Sequence, residues 1–233
     1  MIKNFLFSIF FFSGIIFICL IFLPALILPQ KVTLFGGKIM GYWSLICLRI
    51  FLSVKIKVVG KENIIKGEKF FIACSHQSMF ETFFLQTIFN APIFILKKEL
   101  LKIPIFGSYL KKIGSVSINR DKITKENLNF FDKILETTKN TDRPLLIFPQ
   151  GTRVLPMERP KFKKGTGRIY KSLNIKCQPV AINSGFVWPK SQKMSKNKTI
   201  VVSIIKSIDP GLITDNFLYI LEKNIYYELD KLN

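Results

Sequence analysis

The chain holds a single histidine, His76, in the stretch Ser-His-Gln-Ser-Met-Phe-Glu, so a carboxylate, Glu81, follows the only imidazole by five positions. Histidine is the side chain that exchanges protons near neutral pH, and a neighbouring carboxylate fixes its tautomer and stabilises its charged form. Acid–base chemistry by histidine has nowhere else to happen in this sequence. A second cluster, Phe148-Pro-Gln-Gly-Thr-Arg153, has residue types that suit an anion. Gly151 lets the backbone approach closely, Thr152 offers a hydroxyl, and Arg153 can grip a phosphate with two N–H groups. Taken singly, each cluster has an ordinary structural reading. A lone His near a Glu is more often a packing detail, and Gly-Thr-Arg often makes a turn.

Positions five apart on a helix are separated by about 140°, so His76 and Glu81 do not share a helical face. The pair works only if His76 lies in a loop and Glu81 in the first turn of the helix that follows. Ser75, Gln77 and Ser78 are the capping candidates for that turn. Periodicity supplies such elements. Short apolar or alternating runs at 53–59, 69–74, 92–96, 115–118, 145–148, 179–182 and 199–205 predict strands. Helical patterns at 77–89, 122–140, 164–173 and 214–231 fall among them. Such alternation predicts an α/β fold with a mixed, largely parallel sheet flanked by helices. In such folds sites form where strands end. His76 follows the strand at 69–74, and Gln150 to Arg153 follow the strand at 145–148.

No charged residue occurs between Asn4 and Gln30, and the run at 5–23 is almost wholly apolar. As a helix it would reach ~28 Å, enough for the hydrocarbon core of a bilayer. It is longer than the apolar part of a signal peptide, and no A-x-A-like site follows it, which favours an uncleaved anchor. A second apolar stretch, 38–52, carries only Lys38 and Arg49 as charges and is expected to lie interfacial or re-entrant, being short for a span. The chain therefore divides into a membrane-anchoring hydrophobic region, 1–52, and an α/β domain, 53–233. Basic residues after the anchor place that domain on the cytoplasmic side of a membrane, in a bacterium the inner one.

A net charge of +20 fits a polyanionic partner such as anionic membrane lipids, a phosphorylated substrate or nucleic acid. Only six of the 35 basic residues are arginines, and Ile, Phe and Asn are abundant, so much of the charge is compositional bias toward lysine. Arg120 and Arg153 are more informative than any lysine for that reason. A membrane-tethered nucleic-acid-binding protein is the rival of a different class, but the lysines are spread throughout and no nucleic-acid-binding signature is present. Cys19, Cys47, Cys74 and Cys177 lack metal-like or disulfide-like spacing, so neither a metal site nor a disulfide framework is expected.

Taken together and in order, the motifs resemble the lysophosphatidic acid acyltransferase family (1-acyl-sn-glycerol-3-phosphate acyltransferases). That family carries a His, four residues, then an acid, and later Phe-Pro-Glu-Gly-Thr-Arg. Lys97-Lys-Glu-Leu100 with Ile103-Pro-Ile-Phe-Gly107, Gly114 to Arg120, Phe162-Lys-Lys-Gly165 and Gln178-Pro-Val180 are similar to its other blocks, over roughly 54–207. The resemblance implies a glycerolipid acyltransferase fold and acyl transfer from acyl-CoA or acyl carrier protein to lysophosphatidic acid, giving phosphatidic acid. It implies no cofactor beyond that co-substrate and no metal. It makes His76 the general base and Glu81 its orienting partner, with Lys97, Arg120, Gly151, Thr152 and Arg153 binding the acceptor's phosphate. Direct attack by the lipid hydroxyl is the expected route. An acyl-enzyme on Ser75, Ser78 or Cys74 is the less favoured one, since no Gly-x-Ser-x-Gly elbow is present. Three departures are visible: Glu81 stands for the family's Asp, Gln150 for its Glu, and Asn119 for its Asp before Arg120. They leave open a different acceptor, such as a lyso-ornithine lipid or glycerol 3-phosphate, and a catalytically dead scaffold.

Overall fold

Phe71 and Ala73 point to one side of the strand Phe70–Cys74, Ile72 and Cys74 to the other, and all four are completely buried. A strand apolar on both faces belongs in the middle of a sheet covered by two layers. The computed structural model, which describes residues 2–118, 129–190 and 193–232, has that arrangement. Asn119, Arg120 and the 122–128 part of the predicted helix lie outside the described residues.

Seven strands are present among the described residues: β1 (Lys55–Val59), β2 (Phe70–Cys74), β3 (Ile93–Lys97), β4 (Val116–Ile118), β5 (Leu145–Ile147), β6 (Lys176–Ile182) and β7 (Thr199–Ile204). Their order is β1-β7-β6-β2-β5-β3-β4. β6, β2, β5, β3 and β4 run parallel, while β7 is antiparallel to β6 and parallel to β1. The sheet is thus mixed and largely parallel, as the alternation of elements predicts. One consequence positions the site: the carboxyl ends of β2, β3, β5 and β6 all fall on one edge.

One face of the sheet, with Ile72, Val180, Ile200 and Val202, is covered by α1 (Ile2–Ile21), α2 (Gln30–Leu52) and α3 (Phe80–Ile88). The other, with Phe71, Leu145, Ile147 and Ala181, is covered by three further helices. These are α5 (Phe130–Lys139), α6 (Lys164–Leu173) and α7 (Thr214–Lys231); the intervening α4 is the short helix Phe106–Lys112. Tyr170 of α6 and Phe217 of α7 stack at 3.7 Å beneath β2. α4, which the periodicity did not reveal, packs on the first two helices, with the Tyr109 hydroxyl donating to Cys19 O at 2.6 Å.

α1 and α2 form an antiparallel hairpin, turned by the segment Leu23–Leu26. Trp43 Nε1 donates to Phe11 O at 3.2 Å, and Thr33 Oγ1 to Ala25 O at 3.0 Å. Gly14 leaves the room that the Trp43 indole fills. The inner side of the hairpin belongs to the domain core: Phe7 and Phe11 are fully buried and meet Trp188 edge-on at 5.0 and 4.9 Å. Burying each ring is worth about 2 kcal/mol. The outer side is bare, with Phe5, Ile16, Phe17, Ile27, Phe35 and Ile50 all exposed. The second helix corrects the expected length of the 38–52 stretch. It starts at Gln30, directly after Pro29, and its 23 residues extend ~34 Å. Both helices are long and apolar enough to cross a bilayer, by length and composition.

β6 also begins earlier than predicted, because a proline ordinarily argues against a central strand. Here the defect is repaired. Ile205 N–H donates to Pro179 O at 3.1 Å, and the reciprocal bond that proline cannot make is replaced by Gln178 Nε2 donating to Ile205 O at 2.5 Å. This gives the buried Gln178 amide a partner within the sheet.

Candidate active site

β2 ends at Cys74, and the chain turns into α3 through Ser75, His76, Gln77 and Ser78. Ser75 anchors the turn to β6: its N–H donates to Val180 O at 3.0 Å and its Oγ accepts from Ile182 N–H at 2.8 Å. Met79 already has helical angles (φ −74°, ψ −19°), so Ser78 stands where a cap acts. Its Oγ accepts from Phe80 N–H at 3.1 Å, while Glu81 reaches back to accept from Ser78 N–H at 3.0 Å. Ser78-Met-Phe-Glu81 has the sequence of a capping box, with the Glu81 half formed and the Ser78 oxygen on the N–H one residue earlier than usual, that of Phe80. Its S-x-x-E signature is legible in the sequence.

Glu81 is fully buried, and its carboxylate is held by several donors. Oε1 accepts from Gln77 N–H at 3.1 Å, Ser78 N–H at 3.0 Å and the Ser184 hydroxyl; Oε2 accepts from Ser78 N–H at 3.0 Å. These bonds, with the positive end of α3, compensate for taking a charge out of water. Oε2 also faces His76 Nδ1 at 3.5 Å. That separation is longer than a hydrogen bond, and Nδ1 is buried with no other partner. Catalytic hydrogen bonds are commonly long before substrate binds and tighten afterwards. The structure therefore sets the loop histidine beside the first-turn carboxylate, the arrangement the five-residue spacing requires. Nε2 lies on the opposite edge of the ring, away from the carboxylate.

The imidazole is fixed on its face and along its backbone. Phe148 stacks on it at 3.8 Å and 14°. His76 N–H donates to Gln150 Oε1 at 3.1 Å, and His76 O accepts from Val154 N–H at 2.9 Å. Gln150 thus holds the histidine loop by hydrogen bonding. The segment carrying it turns sharply: Gly151 has φ +75° and donates to Phe148 O at 2.9 Å, a conformation that favours glycine.

Beyond Gln150 lies an open cleft of about 510 Å³, lined by Gln150, Thr152, Arg153 and Val154 and by the 158–163 stretch. Four basic residues, Arg153, Arg159, Lys161 and Lys163, are among its lining, with one carboxylate, Glu158. Arg159, Lys161 and Lys163 were not singled out from the sequence. Lysine abundance hid two of them, and scarce arginine was the unused signal for Arg159. Ser184 was missed as well, although a polar Asn-Ser-Gly following a buried strand marks a strand-end loop. Lys97 sits at the end of β3 on the same edge of the sheet but does not line the cleft; its Nζ lies 3.9 Å from Glu99. Arg120 lies outside the described residues.

The alternative nucleophiles are all engaged. Ser75, Ser78 and Cys74 are fully buried, and both serine hydroxyls are tied to backbone groups. Burial, and secondarily the Glu81 charge, push the Cys74 thiol well above its ordinary range, so it is held as the inert thiol. Tyr226, on α7 behind the cleft, is pushed up to about 12 by burial and then by Glu222, against the opposing effects of Gln150 and Arg159. It stays a hydrogen-bond donor, to Pro160 O.

A buried carboxylate thus stands behind a loop histidine, next to a cation-lined cleft at the carboxyl edge of an α/β sheet. Residues 55–183, from β1 to the turn after β6, match the Acyltransferase family, and the chain belongs to that family. Among its relatives, the 1-acyl-sn-glycerol-3-phosphate acyltransferase of Pseudomonas aeruginosa is 33% identical over 156 residues, covering 67% of this chain and 60% of that one. The enzyme of the same name from Saccharomyces cerevisiae is 31% identical over 172 residues, covering 72% of this chain and 56% of that one. The chain thus spans somewhat more than half the length of these relatives. The fold is shared with the 1-acyl-sn-glycerophosphate (LPA) acyltransferase PlsC of Thermotoga maritima, at a TM-score of 0.83 and 22% identity over 99% of this chain and 96% of that one.

Proposed function

We propose that this chain transfers a fatty acyl group from a thioester to the free hydroxyl of lysophosphatidic acid, giving phosphatidic acid. The observation that carries the reading is the His76–Glu81 pair joined, through Gln150 and Val154, to the loop of the cation-lined cleft. The names of the relatives support the same reaction.

An alcohol is a poor nucleophile at its own pKa and needs a base at the moment of attack. With Glu81 on the Nδ1 side, His76 Nε2 takes the hydroxyl proton as the oxygen attacks the thioester carbonyl carbon. The carbon–sulfur bond then breaks, and the same proton goes to the departing thiolate. The burial and engagement of Ser75, Ser78 and Cys74 favour direct transfer over an acyl-enzyme. Arg153 and its neighbours hold the acceptor's phosphate as charge-assisted donors. The donor is acyl-CoA or acyl carrier protein. The bare outer side of the α1–α2 hairpin sits in the lipid, with the site on the cytoplasmic side of a bacterial inner membrane.

Thiol release by the full chain in lipid vesicles tests this, with acyl-CoA as donor and lysophosphatidate, glycerol 3-phosphate or phosphate-free monoacylglycerol as acceptor. Lysophosphatidate is expected to be the preferred acceptor. In Arg153→Ala its KM should rise roughly tenfold or more, as for loss of a charge-assisted contact, with kcat nearly unchanged. Equal rates with monoacylglycerol, or an unaltered KM in the variant, would remove the phosphate from the reading.

A further inference from the structure

α7 lies outside the residues that match the family, yet one of its faces reaches the cleft. Glu222, Tyr226 and Asp230 are spaced four apart and share that face. Each holds a successive part of the loop that lines the cleft. Glu222 Oε2 accepts from Phe162 N–H at 2.9 Å. The Tyr226 hydroxyl donates to Pro160 O, and its ring meets Phe162 edge-on at 5.1 Å. Asp230 Oδ1 receives Arg159 Nη2 at 2.6 Å.

Arg159 is turned inward by these contacts. Its Nη1 donates to Pro156 O at 2.5 Å and Glu158 O at 3.1 Å, and its guanidinium carbon lies 5.4 Å from the centre of the Tyr226 ring. Its charge is answered by Asp230 at Nη2 and its Nη1 faces two backbone carbonyls, while Nε is buried without a hydrogen-bond partner. Among the described residues, the side chains of Arg153, Lys161 and Lys163 make no hydrogen bond or ion pair of this kind. The residue that ends the same helix bears on the other half of the site: Asn183 Nδ2 donates to Leu232 O at 2.8 Å, one residue before the Ser184 that binds Glu81.

We propose that the Glu222–Tyr226–Asp230 face of α7 is a positioning clamp that holds the 156–163 loop in its cation-lined form, with Arg159 acting as a strut rather than a phosphate ligand. The segment has no helix or strand of its own, so its shape depends on attachments from outside. The inference rests, for its kinetic part, on the cleft being the acceptor's phosphate site.

A charge swap in the full chain tests it. Arg159→Asp and Asp230→Arg, made singly, should each raise the KM for lysophosphatidate roughly tenfold, within the range for misplaced binding groups, with kcat nearly unchanged. The double exchange should restore KM, because a strut needs only a complementary partner. A phosphate ligand would not be restored by a carboxylate at 159. Tyr226→Phe, a change that keeps the packing, should raise KM less. Amide hydrogen exchange gives a readout independent of activity: the singles should speed exchange across 156–163 but not across 75–82, and the swap should slow it again. A swap that leaves KM raised while exchange recovers would make Arg159 a ligand and overturn the proposal. Singles with unchanged exchange would also overturn it. If the native chain proves inactive with lysophosphatidate, the function reading fails, and the exchange arm still decides whether the clamp exists.

Discussion

Replacing Glu81 with Gln keeps the side-chain volume and removes one charge. In the native site Oε1 accepts from two backbone N–H groups and the Ser184 hydroxyl, while Oε2 accepts from Ser78 N–H and faces His76 Nδ1 at 3.5 Å. A carboxamide has only one oxygen. Placed where Oε1 is, it leaves an NH2 group against Ser78 N–H and against Nδ1. The first contact sets donor against donor. The second lets the amide donate to Nδ1, which selects the imidazole tautomer with its proton on Nε2. That tautomer cannot accept the proton of the attacking hydroxyl, so kcat should fall by about 10²–10⁴, the usual worth of a general base. Charge-assisted bonds become neutral ones and one is lost, costing roughly 2–4 kcal/mol of stability. For a chain of this size the melting temperature should drop by about 5–15 °C. The assay is thiol release in vesicles below the variant's melting temperature, run as a cycle with His76→Ala. Residues acting as one unit are strongly non-additive, so the double variant should be within about threefold of His76→Ala alone. A further hundredfold loss in the double would refute the pairing. Full kcat in Glu81→Gln with only a lower melting point would reduce Glu81 to a helix cap.

Ser184→Ala removes one hydroxyl from Glu81 and leaves the rest of the shell intact. Stability should fall by about 1–3 kcal/mol, and kcat by several-fold with KM unchanged, as read by melting curves and initial rates. A chain beginning at Ser53 loses Phe7, Phe11, Leu48 and Leu52 from the core around β2. At about 3–5 kcal/mol for each lost Phe alone, this rivals the whole stability of a domain, so the truncated chain should fail to fold. A soluble 53–232 fragment with a cooperative melt would instead make the hairpin a detachable anchor. Tyr226 is held up to about 12 from the ordinary 10.0, chiefly by burial. Folding then favours the protonated phenol, so its contribution to stability is full below pH 10 and is lost as the pH rises from 10 to 12. Tyr226→Phe should flatten that part of a stability-against-pH curve; an unchanged curve would mean the phenol titrates alike in both states.

The fold class and the edge that carries the site were legible because both rest on periodicity. The continuous apolar runs at 69–74 and 145–148 marked strands buried on two faces, and a polar cluster follows each. Features that rest on partners distant in sequence were not legible. Pro179 argues against a strand start at Lys176 because the repairing bond runs from Gln178 to Ile205, just past the end of β7. The second apolar helix was shortened because Gln30, Lys31 and Lys38 lower its local hydropathy, whereas Pro29 fixes its start. Ser184 and Arg159 reach the site through contacts 103 and 71 residues away in sequence, which no local pattern records. The S-x-x-E box was the opposite case, a local signal present in the sequence.

The contacts of that box also show what a glutamate reaches at a position where the resemblance implies an aspartate. An aspartate on the first turn would be shorter by one C–C bond, ~1.5 Å, and would have to choose between the N–H groups of the loop and the imidazole. Glu81 spans both: it accepts from Gln77 and Ser78 N–H while its second oxygen faces Nδ1. Because Gln77 is adjacent to His76, the bonds that cap α3 also fix the backbone from which the imidazole projects. Capping and orientation are therefore one set of contacts. Gln150 completes the logic from the other side. Its Oε1 supplies the lone pair that holds His76 N–H, while its Nε2 is buried without a hydrogen-bond partner. The neutral group also spares the buried rim of a cation-lined cleft a second negative charge, next to Tyr226 and the Glu222 beyond it. Glu81 and Gln150 thus hold the His76 loop from opposite sides, and the neutral Gln150 adds no negative charge to the cation-lined cleft.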